Sequence, residues 1–255
     1  MATKKQPPQP IVLHTGSHSR LALFEQCKFR VYLKHGLKIP EPVRPLPPGK
    51  LEHANDRGSR LHDNAELFTR GKSKLSPELS KHFLNEFEAL QRHFKAGMAI
   101  LEDEWAMDRE WEPCDWKAIN AFLRLKIDAL VFLSDTEAVV IDYKTGRRQG
   151  NEIKHAEQVQ LYQLVTFLRY PKIEKITVEL WYPDIDDLFS QEYTRDQGLR
   201  FKKKFNDRLT ELTTYQFTGD PKVEANPTIY TCKWCPYGQP SAARPERTGH
   251  CPSKA

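Results

Sequence analysis

The sequence predicts an α/β sandwich in which helices cover both faces of a β-sheet. Two apolar runs, 122–133 and 137–144, flank the polar segment Ser134-Asp135-Thr136 and read as a β-hairpin. Leu130, Phe132 and Val140 fall on one face of that hairpin, and Ile127, Val131, Val139 and Ile141 on the other, so neither face suits water. Segments of helical period precede the hairpin, and a further helix and two strands follow it, as a layered α/β core requires.

Residues 1–15, beginning MATKKQPPQP, are polar and proline-rich and are expected to form a flexible tail. Ser19 is the expected cap of a helix running to His35, with Leu21, Phe24, Val31 and Tyr32 at helical spacing, Cys27 inside it and Gly36 as its stop. Pro40, Pro42, Pro45, Pro47 and Pro48 exclude regular structure and make an extended connector. A helix over about 55–70 places Leu61, Ala65 and Phe68 on one stripe, with His62 and Glu66 on an adjacent face. Ser76-Pro77-Glu78 starts another, which buries Leu79, Phe83, Phe87, Leu90 and Phe94. A strand over about 100–112 comes before the hairpin. After it come a helix at 155–169, strands at 176–182 and 189–194, and a basic helix at 196–212. Residues 213–255 have no clear period. A single domain, 16–255, is expected, with its core at about 55–212.

Of the 255 residues, 39% are hydrophobic and 29% charged, and no apolar run reaches the roughly 20 residues that span a bilayer. The polar N-terminus carries no apolar stretch of a secretory signal, so a cytoplasmic location without membrane contact is expected. The net charge of +5 is compatible with a polyanionic partner and also with an ordinary solvated surface. Arg147 with Arg148, and Arg200 with Lys202, Lys203 and Lys204, are the basic clusters that could meet phosphates.

The chemistry concentrates on the hairpin. With Asp135 at its centre, Asp128 lies opposite Asp142, with Cβ atoms about 5 Å apart. Two carboxylates so close favour a shared cation, and Lys144 projects to the same face. An ordinary salt bridge of Asp142 with Lys126 or Lys144 is the plainer alternative. Two acids and a lysine are also the groups needed to cut a phosphodiester with a metal-activated water.

Read in order, the chain contains Gly58-Ser59-Arg60-Leu61-His62, Lys126-Ile127-Asp128, Asp142-Tyr143-Lys144-Thr145-Gly146 and Gln158-Val159-Gln160-Leu161-Tyr162. This series resembles the PD-(D/E)XK nuclease superfamily in its RecB-like branch, which has a Gly-x-x-x-His helix, an Asp strand, an Asp/Glu-x-Lys strand and a Gln-x-x-x-Tyr helix. The resemblance implies a restriction-endonuclease-like core with a central mixed β-sheet flanked by helices. It implies that His62, Asp128, Asp142 and the Tyr143 carbonyl hold Mg²⁺ or Mn²⁺, that Lys144 orients the attacking water, and that Gln158 and Tyr162 support the site and the DNA strand. Glu66 and Glu110 remain open as additional carboxylates.

Of five cysteines, Cys232 and Cys235 form a short chelating loop and Cys251 offers a third sulfur. Spacing leaves the fourth ligand open among Cys27, Cys114 and His250. Here the sequence is similar to the iron-sulfur members of the RecB-like branch, including AddB-type and CRISPR-adaptation exonucleases. Those place one cysteine before the histidine motif and three near the C-terminus. The resemblance implies a [4Fe-4S] cluster on Cys27, Cys232, Cys235 and Cys251 that joins the N- and C-terminal segments, with zinc as the alternative ion. The separation of Cys235 from Cys251 exceeds the family's short spacing. The expected activity is that of a metal-dependent DNA exonuclease acting on single strands or duplex ends in recombination, repair, phage replication or CRISPR adaptation. Proteins of those processes are its expected partners, and oligomeric state is open. The rival expectation is a catalytically inactive DNA-binding or assembly module that keeps the fold.

Overall fold

The computed structural model describes residues 10–146 and 148–252. Arg147, one of the arginines read as a phosphate contact, and residues 1–9 of the expected tail lie outside the described residues. In chain order the elements are α1 (His18–Gln26), α2 (Lys28–Val31), which a π-helical stretch (Tyr32–Gly36) continues to the expected stop, α3 (Ala54–Thr69), α4 (Pro77–Lys95), β1 (Ala99–Met107), β2 (Pro113–Cys114), β3 (Leu123–Phe132), β4 (Glu137–Tyr143), α5 (Glu152–Arg169), β5 (Lys175–Tyr182), β6 (Asp187–Thr194), α6 (Arg195–Leu199), α7 (Phe201–Thr214), α8 (Pro221–Glu224) and α9 (Ile229–Lys233). They form two units, Leu46–Asn206 and the two chain ends, Met1–Pro45 with Asp207–Ala255. Among the described residues, no helix is long and apolar enough to cross a membrane.

The first unit is built on a six-stranded sheet of order β2-β1-β3-β4-β5-β6. Its pairs are antiparallel except β4–β5, which is parallel because α5 carries the chain from the end of one strand back to the start of the next. The mixed α/β sheet is thus as expected. The hairpin register is also the one read from its turn, with Ala129 opposite Ile141 and Leu130 opposite Val140. On one side, α3 and α4 bring Leu61, Ala65, Leu79 and Phe87 against Ala129, Val131, Ile141, Tyr143 and Trp181. On the other, Leu130 and Val140 are just as buried. There α5, buried along Val159, Leu161, Leu164, Val165 and Phe167, covers the sheet, and Tyr170 at its end meets Phe132 with ring centroids 5.2 Å apart.

Local chemistry fixes the element ends. Ser76 has the extended backbone of an N-cap and Pro77 opens α4, where its missing N–H costs nothing. The expected strand over 100–112 stops at Met107 instead. Asp108 Oδ1 accepts the N–H groups of Glu110 (3.0 Å) and Glu112 (2.9 Å), which turns the chain and returns Cys114 beside Ala106 as the edge strand β2. Glu110 therefore lies in an exposed turn. The basic helix is broken at Arg200 into α6 and α7.

In the unit made by the chain ends, the helix expected from Ser19 to His35 is interrupted. Ser17 is the cap, with its Oγ accepting the Arg20 N–H at 3.2 Å, and α1 ends at Gln26. Cys27 is extended (φ −164°), so it sits at a break between α1 and α2 and not within a helix. Packing overrides the helical period there. Cys27 lies against a buried cluster of Phe29, Leu33, Cys235, Tyr237 and Cys251. The two ends are joined by a backbone bridge between Ile11 and Phe217, by the Arg208–Glu25 ion pair at 2.6 Å, and by Tyr237 Oη donating to the Ile39 carbonyl at 2.8 Å. Residue 11 of the expected 1–15 tail is therefore paired. The segment without period contains α8, capped by Asp220, and α9, which Thr228 and Thr231 close with a capping box.

Candidate metal centre

The β3–β4 ladder opens where its two acids begin. Pairing ends at Ala129 and Ile141, and the N–H of Tyr143, two residues on, donates to Asp128 Oδ2 at 2.7 Å. Asp128 thus satisfies a backbone donor that the parted strands leave free. Its other oxygen stands 3.3 Å from His62 Nδ1. His62 Nε2 in turn lies 3.1 Å from the Tyr143 carbonyl oxygen. His62, Asp128 and the Tyr143 carbonyl thus draw together from α3, β3 and β4, while Asp142, buried like Asp128, is not part of that contact.

Helix α3 reaches this position because Gly58 lets it close on the loop after β4. A Cβ at Gly58 would stand 3.2 Å from Thr145 Oγ1. Gly146, with φ +100°, then turns the loop through a conformation open to glycine.

A residue that sequence reading passed over completes the cluster. One ligand atom each from His62, Glu102 and Asp128 lie within 4.8 Å of one another. Glu102 is on β1, between the pairs Leu101–Ala129 and Asp103–Ile127, and so falls beside Asp128. Its φ of +52° is unusual for a non-glycine residue inside a strand. Glu102 Oε2 meets Lys126 Nζ at 2.6 Å, while buried Oε1 has no hydrogen-bond partner among the described residues. Glu66 is turned to a different task, accepting from Arg70 one helical turn on at 2.8 Å.

Asp142 is engaged on the opposite side. Its Oδ2 is 2.5 Å from Lys144 Nζ, and its Oδ1 accepts from Gln158 Nε2 at 3.2 Å. Gln158 also presents Oε1 to Lys144 Nζ at 2.7 Å and donates to Tyr162 Oη at 2.6 Å. Tyr162 passes the chain on to the Lys126 carbonyl at 3.1 Å. Asp142, Lys144, Gln158 and Tyr162 thus form one network, and His62 and Asp128 form a second contact set that meets Tyr143, the residue after Asp142.

The charges in this network push the titrations in informative directions. Burial would lower the His62 pKa, but the hydrogen bond to Asp128 and the charges of Asp128, Asp142 and Glu102 outweigh it and push the ring up to about 9. Burial pushes Asp142 up to about 6, with Asp128 adding to the shift and Lys144 opposing it. Burial also raises Glu102, against the pull of Lys126. The pocket thus holds more carboxylate than it can neutralise cheaply, and retains a proton on His62 in the place where a cation would sit.

Cys27, Cys232, Cys235 and Cys251 lie in the other unit. Cys235 and Cys251 are buried in the cluster against which Cys27 packs. Cys232, Cys235 and Cys251 line a cavity of about 510 Å³. The long gap between Cys235 and Cys251 is closed by backbone hydrogen bonds from Thr248 to Pro236 (3.1 Å), Gly249 to Gly238 (3.0 Å) and Cys251 to Tyr237 (2.7 Å). Among the described residues, no three cysteine sulfurs lie within 4.8 Å of one another. Cys114 is on β2, in the unit Leu46–Asn206, and His250 is exposed.

Comparison with known proteins agrees with this architecture. A solved structure named as a putative exonuclease from Eubacterium rectale has a TM-score of 0.50 at 11% identity, over 89% of this chain and 88% of that one. The structure of SSO0001 has a TM-score of 0.41 at 16% identity, over 91% and 87%. An alkaline exonuclease, LHK-Exo, from Laribacter hongkongensis has 0.29 at 15%, over 78% and 88%. No curated protein sequence matches. The family model of the PD-(D/E)XK nuclease superfamily matches residues 15–239, and the chain belongs to that superfamily.

Proposed function

We propose that this chain is a metal-dependent deoxyribonuclease, an exonuclease of the RecB-like branch that hydrolyses DNA single strands or duplex ends in recombination, repair, phage replication or CRISPR adaptation. The observation that carries the reading is the convergence of His62, Glu102 and Asp128 on one point beside the Asp142–Lys144–Gln158 network. The donor set of one imidazole and several carboxylate and carbonyl oxygens fits Mg²⁺ or Mn²⁺, with the imidazole favouring manganese. The buried oxygen of Glu102, which accepts no hydrogen bond among the described residues, is a donor such an ion would satisfy. His62, Asp128, Asp142 and the Tyr143 carbonyl would hold the ion, with Glu102 as a further carboxylate. When bound, it supplies the positive charge against which a phosphate and an attacking water are polarised.

The chain's own groups do the rest. Lys144, fixed between Asp142 Oδ2 and Gln158 Oε1, directs an ammonium at the attacking water and favours its deprotonated form. Gln158 holds both members of the acid–lysine pair in register, and Tyr162 anchors Gln158 to the backbone of β3. The exonuclease assignment is further supported by the fold shared with the Eubacterium rectale protein named as a putative exonuclease.

In the same reading, Cys27, Cys232, Cys235 and Cys251 ligate a [4Fe-4S] cluster with a structural role. The packing of Cys27 with Cys235 and Cys251 in one apolar cluster, and the cavity lined by Cys232, Cys235 and Cys251, support this. Tetrahedral zinc would bring its sulfurs to about 3.8 Å from one another, from a Zn–S bond of about 2.3 Å. A cubane holds its thiolates further apart, because each binds a different iron. Iron, sulfide and zinc analysis of anaerobically purified protein decides between the two. The function itself is tested by incubating end-labelled linear DNA with the protein and Mg²⁺ or Mn²⁺. Metal-dependent loss of the label is expected. Binding without cleavage in either metal would make the chain a catalytically inactive DNA-binding module.

A further inference from the structure

We propose that Asp184, in the turn between β5 and β6, is a positioning residue of the metal centre, clamping with Arg57 the loop after Lys144 to the helix that carries His62. This deepens the nuclease reading and rests on it.

The clamp is geometrically complete. Asp184 Oδ2 accepts the Gly146 N–H at 2.6 Å and Arg57 Nη1 at 2.8 Å, while its Oδ1 accepts Arg57 Nη2 at 2.6 Å. This is a two-pronged guanidinium–carboxylate pair with a backbone donor added, all of it charge-assisted. Arg57 is itself held from the far side, its Nε donating to Glu78 Oε1 at 3.0 Å. Glu78 also receives Arg60 Nη1 at 2.8 Å, and Arg60 pairs with Glu52 at 2.5 Å. One turn of α3, the start of α4 and the β5–β6 turn are thereby tied to a single loop amide. Lone surface ion pairs contribute little, but a network of shared partners restricts each side chain further than a pair does.

What makes this a feature of the centre is where the two ends of the clamp lie. Gly146 follows Lys144 by two residues, and Arg57 precedes His62 on the same helix. The elements joined are therefore those that bring His62 Nε2 to 3.1 Å from the Tyr143 carbonyl. Gly58, next to Arg57, leaves room for Thr145, next to Gly146: a Cβ at Gly58 would stand 3.2 Å from Thr145 Oγ1. If the clamp is released, α3 can shift relative to the end of β4, which changes the separation of His62 from Asp142 and the Tyr143 carbonyl. Metal sites are sensitive to such support, and loss of an outer partner typically costs about 10- to 100-fold in affinity.

The test uses the full chain and two readouts: calorimetric titration with Mn²⁺ alone, without DNA, and steady-state cleavage of linear DNA. Asp184→Ala is expected to weaken Mn²⁺ binding about tenfold and to lower kcat by about 10- to 100-fold, with KM for DNA within about twofold of the parent. Asp184→Asn keeps an acceptor for the Gly146 N–H and is expected to recover part of both losses. Arg57→Lys keeps the charge and loses the two-pronged geometry, and is expected to lose affinity as Asp184→Ala does, which serves if the alanine variant fails to fold. A purely structural brace would lower thermal stability and leave Mn²⁺ affinity and kcat unchanged. That result in Asp184→Ala, or in Arg57→Lys if it is the variant that folds, overturns the proposal. If the parent protein neither binds Mn²⁺ nor cleaves, the nuclease reading beneath it fails as well, and the two failures are told apart by the parent alone.

Discussion

Replacing Gln158 by leucine removes a side chain's polar atoms while keeping nearly its volume, and so isolates what its amide does. Three hydrogen bonds disappear, to Lys144 Nζ (2.7 Å), Asp142 Oδ1 (3.2 Å) and Tyr162 Oη (2.6 Å). Two of these involve charged partners and would each contribute about 1.5–3 kcal/mol. Lys144 and Asp142 keep each other at 2.5 Å, and Tyr162 keeps the Lys126 carbonyl, so neither charge is left wholly unpaired. The expected loss of stability is therefore about 2–4 kcal/mol, or a Tm lowered by roughly 5–12 °C for a unit of this size. Activity should suffer more than stability indicates, because Lys144 loses the partner that fixes its direction. A fall in kcat of about 10²–10³-fold, with little change in KM, corresponds to about 3–4 kcal/mol of transition-state stabilisation. Initial rates on end-labelled DNA at 25 °C, with Tm from circular dichroism, measure both. A kcat within threefold of the parent, in a variant that is nonetheless less stable, would refute the positioning argument and leave Gln158 a structural residue.

Four further outcomes follow. Because the His62 ring is pushed up to about 9 and Asp142 up to about 6, a cation must displace the His62 proton across pH 6–9, and the Asp142 proton as well below about 6. Mn²⁺ affinity should then rise about tenfold per pH unit between 6 and 9, and more steeply below 6; a flat calorimetric profile would contradict this. The same His62 shift stabilises the metal-free fold below the ordinary imidazole value of 6.5, and that stabilisation is lost as pH rises through about 9, which urea unfolding with EDTA can follow. Phe87→Ala, at a fully buried ring 5.2 Å from Tyr143 and 5.1 Å from Trp181, should cost about 3–5 kcal/mol in urea unfolding, and a cost below 1 kcal/mol would remove it from the core. On the proposed iron-sulfur assignment, Cys235→Ser should lose iron and lower thermal stability, and an unchanged iron content would exclude Cys235 as a ligand.

The hairpin was legible because both of its determinants are local: a short polar turn and alternating apolar residues set the register that places Ala129 against Ile141. The Gln158–Tyr162 spacing was legible for the same reason, four residues on one face of a helix. Glu102 was not. Its approach to Asp128 depends on the β1–β3 register, and the chain between those strands folds out through a turn held by Asp108 and an edge strand, which no short-range pattern announces. An acidic residue one position from the apolar Leu101 was the available signal, and the pairing partner was missing. Asp184 escaped notice likewise, because its partners Arg57 and Gly146 are remote in sequence. The break at Cys27 was hidden by a helical period that continues across it, where packing of the cysteine against the Phe29–Tyr237 cluster wins over local preference.

The central claim is that a divalent cation at His62, Asp128 and Asp142, with Lys144 beside it, cuts DNA. The direct measurement is degradation of end-labelled linear DNA by the parent and by Lys144→Ala, each with Mn²⁺, with Mg²⁺ and with EDTA. The account predicts cleavage by the parent with either ion, none in EDTA, and a loss of at least about 10³-fold in Lys144→Ala, with its folding and Mn²⁺ binding retained. Cleavage that persists in EDTA, or a Lys144→Ala variant as active as the parent, would contradict it.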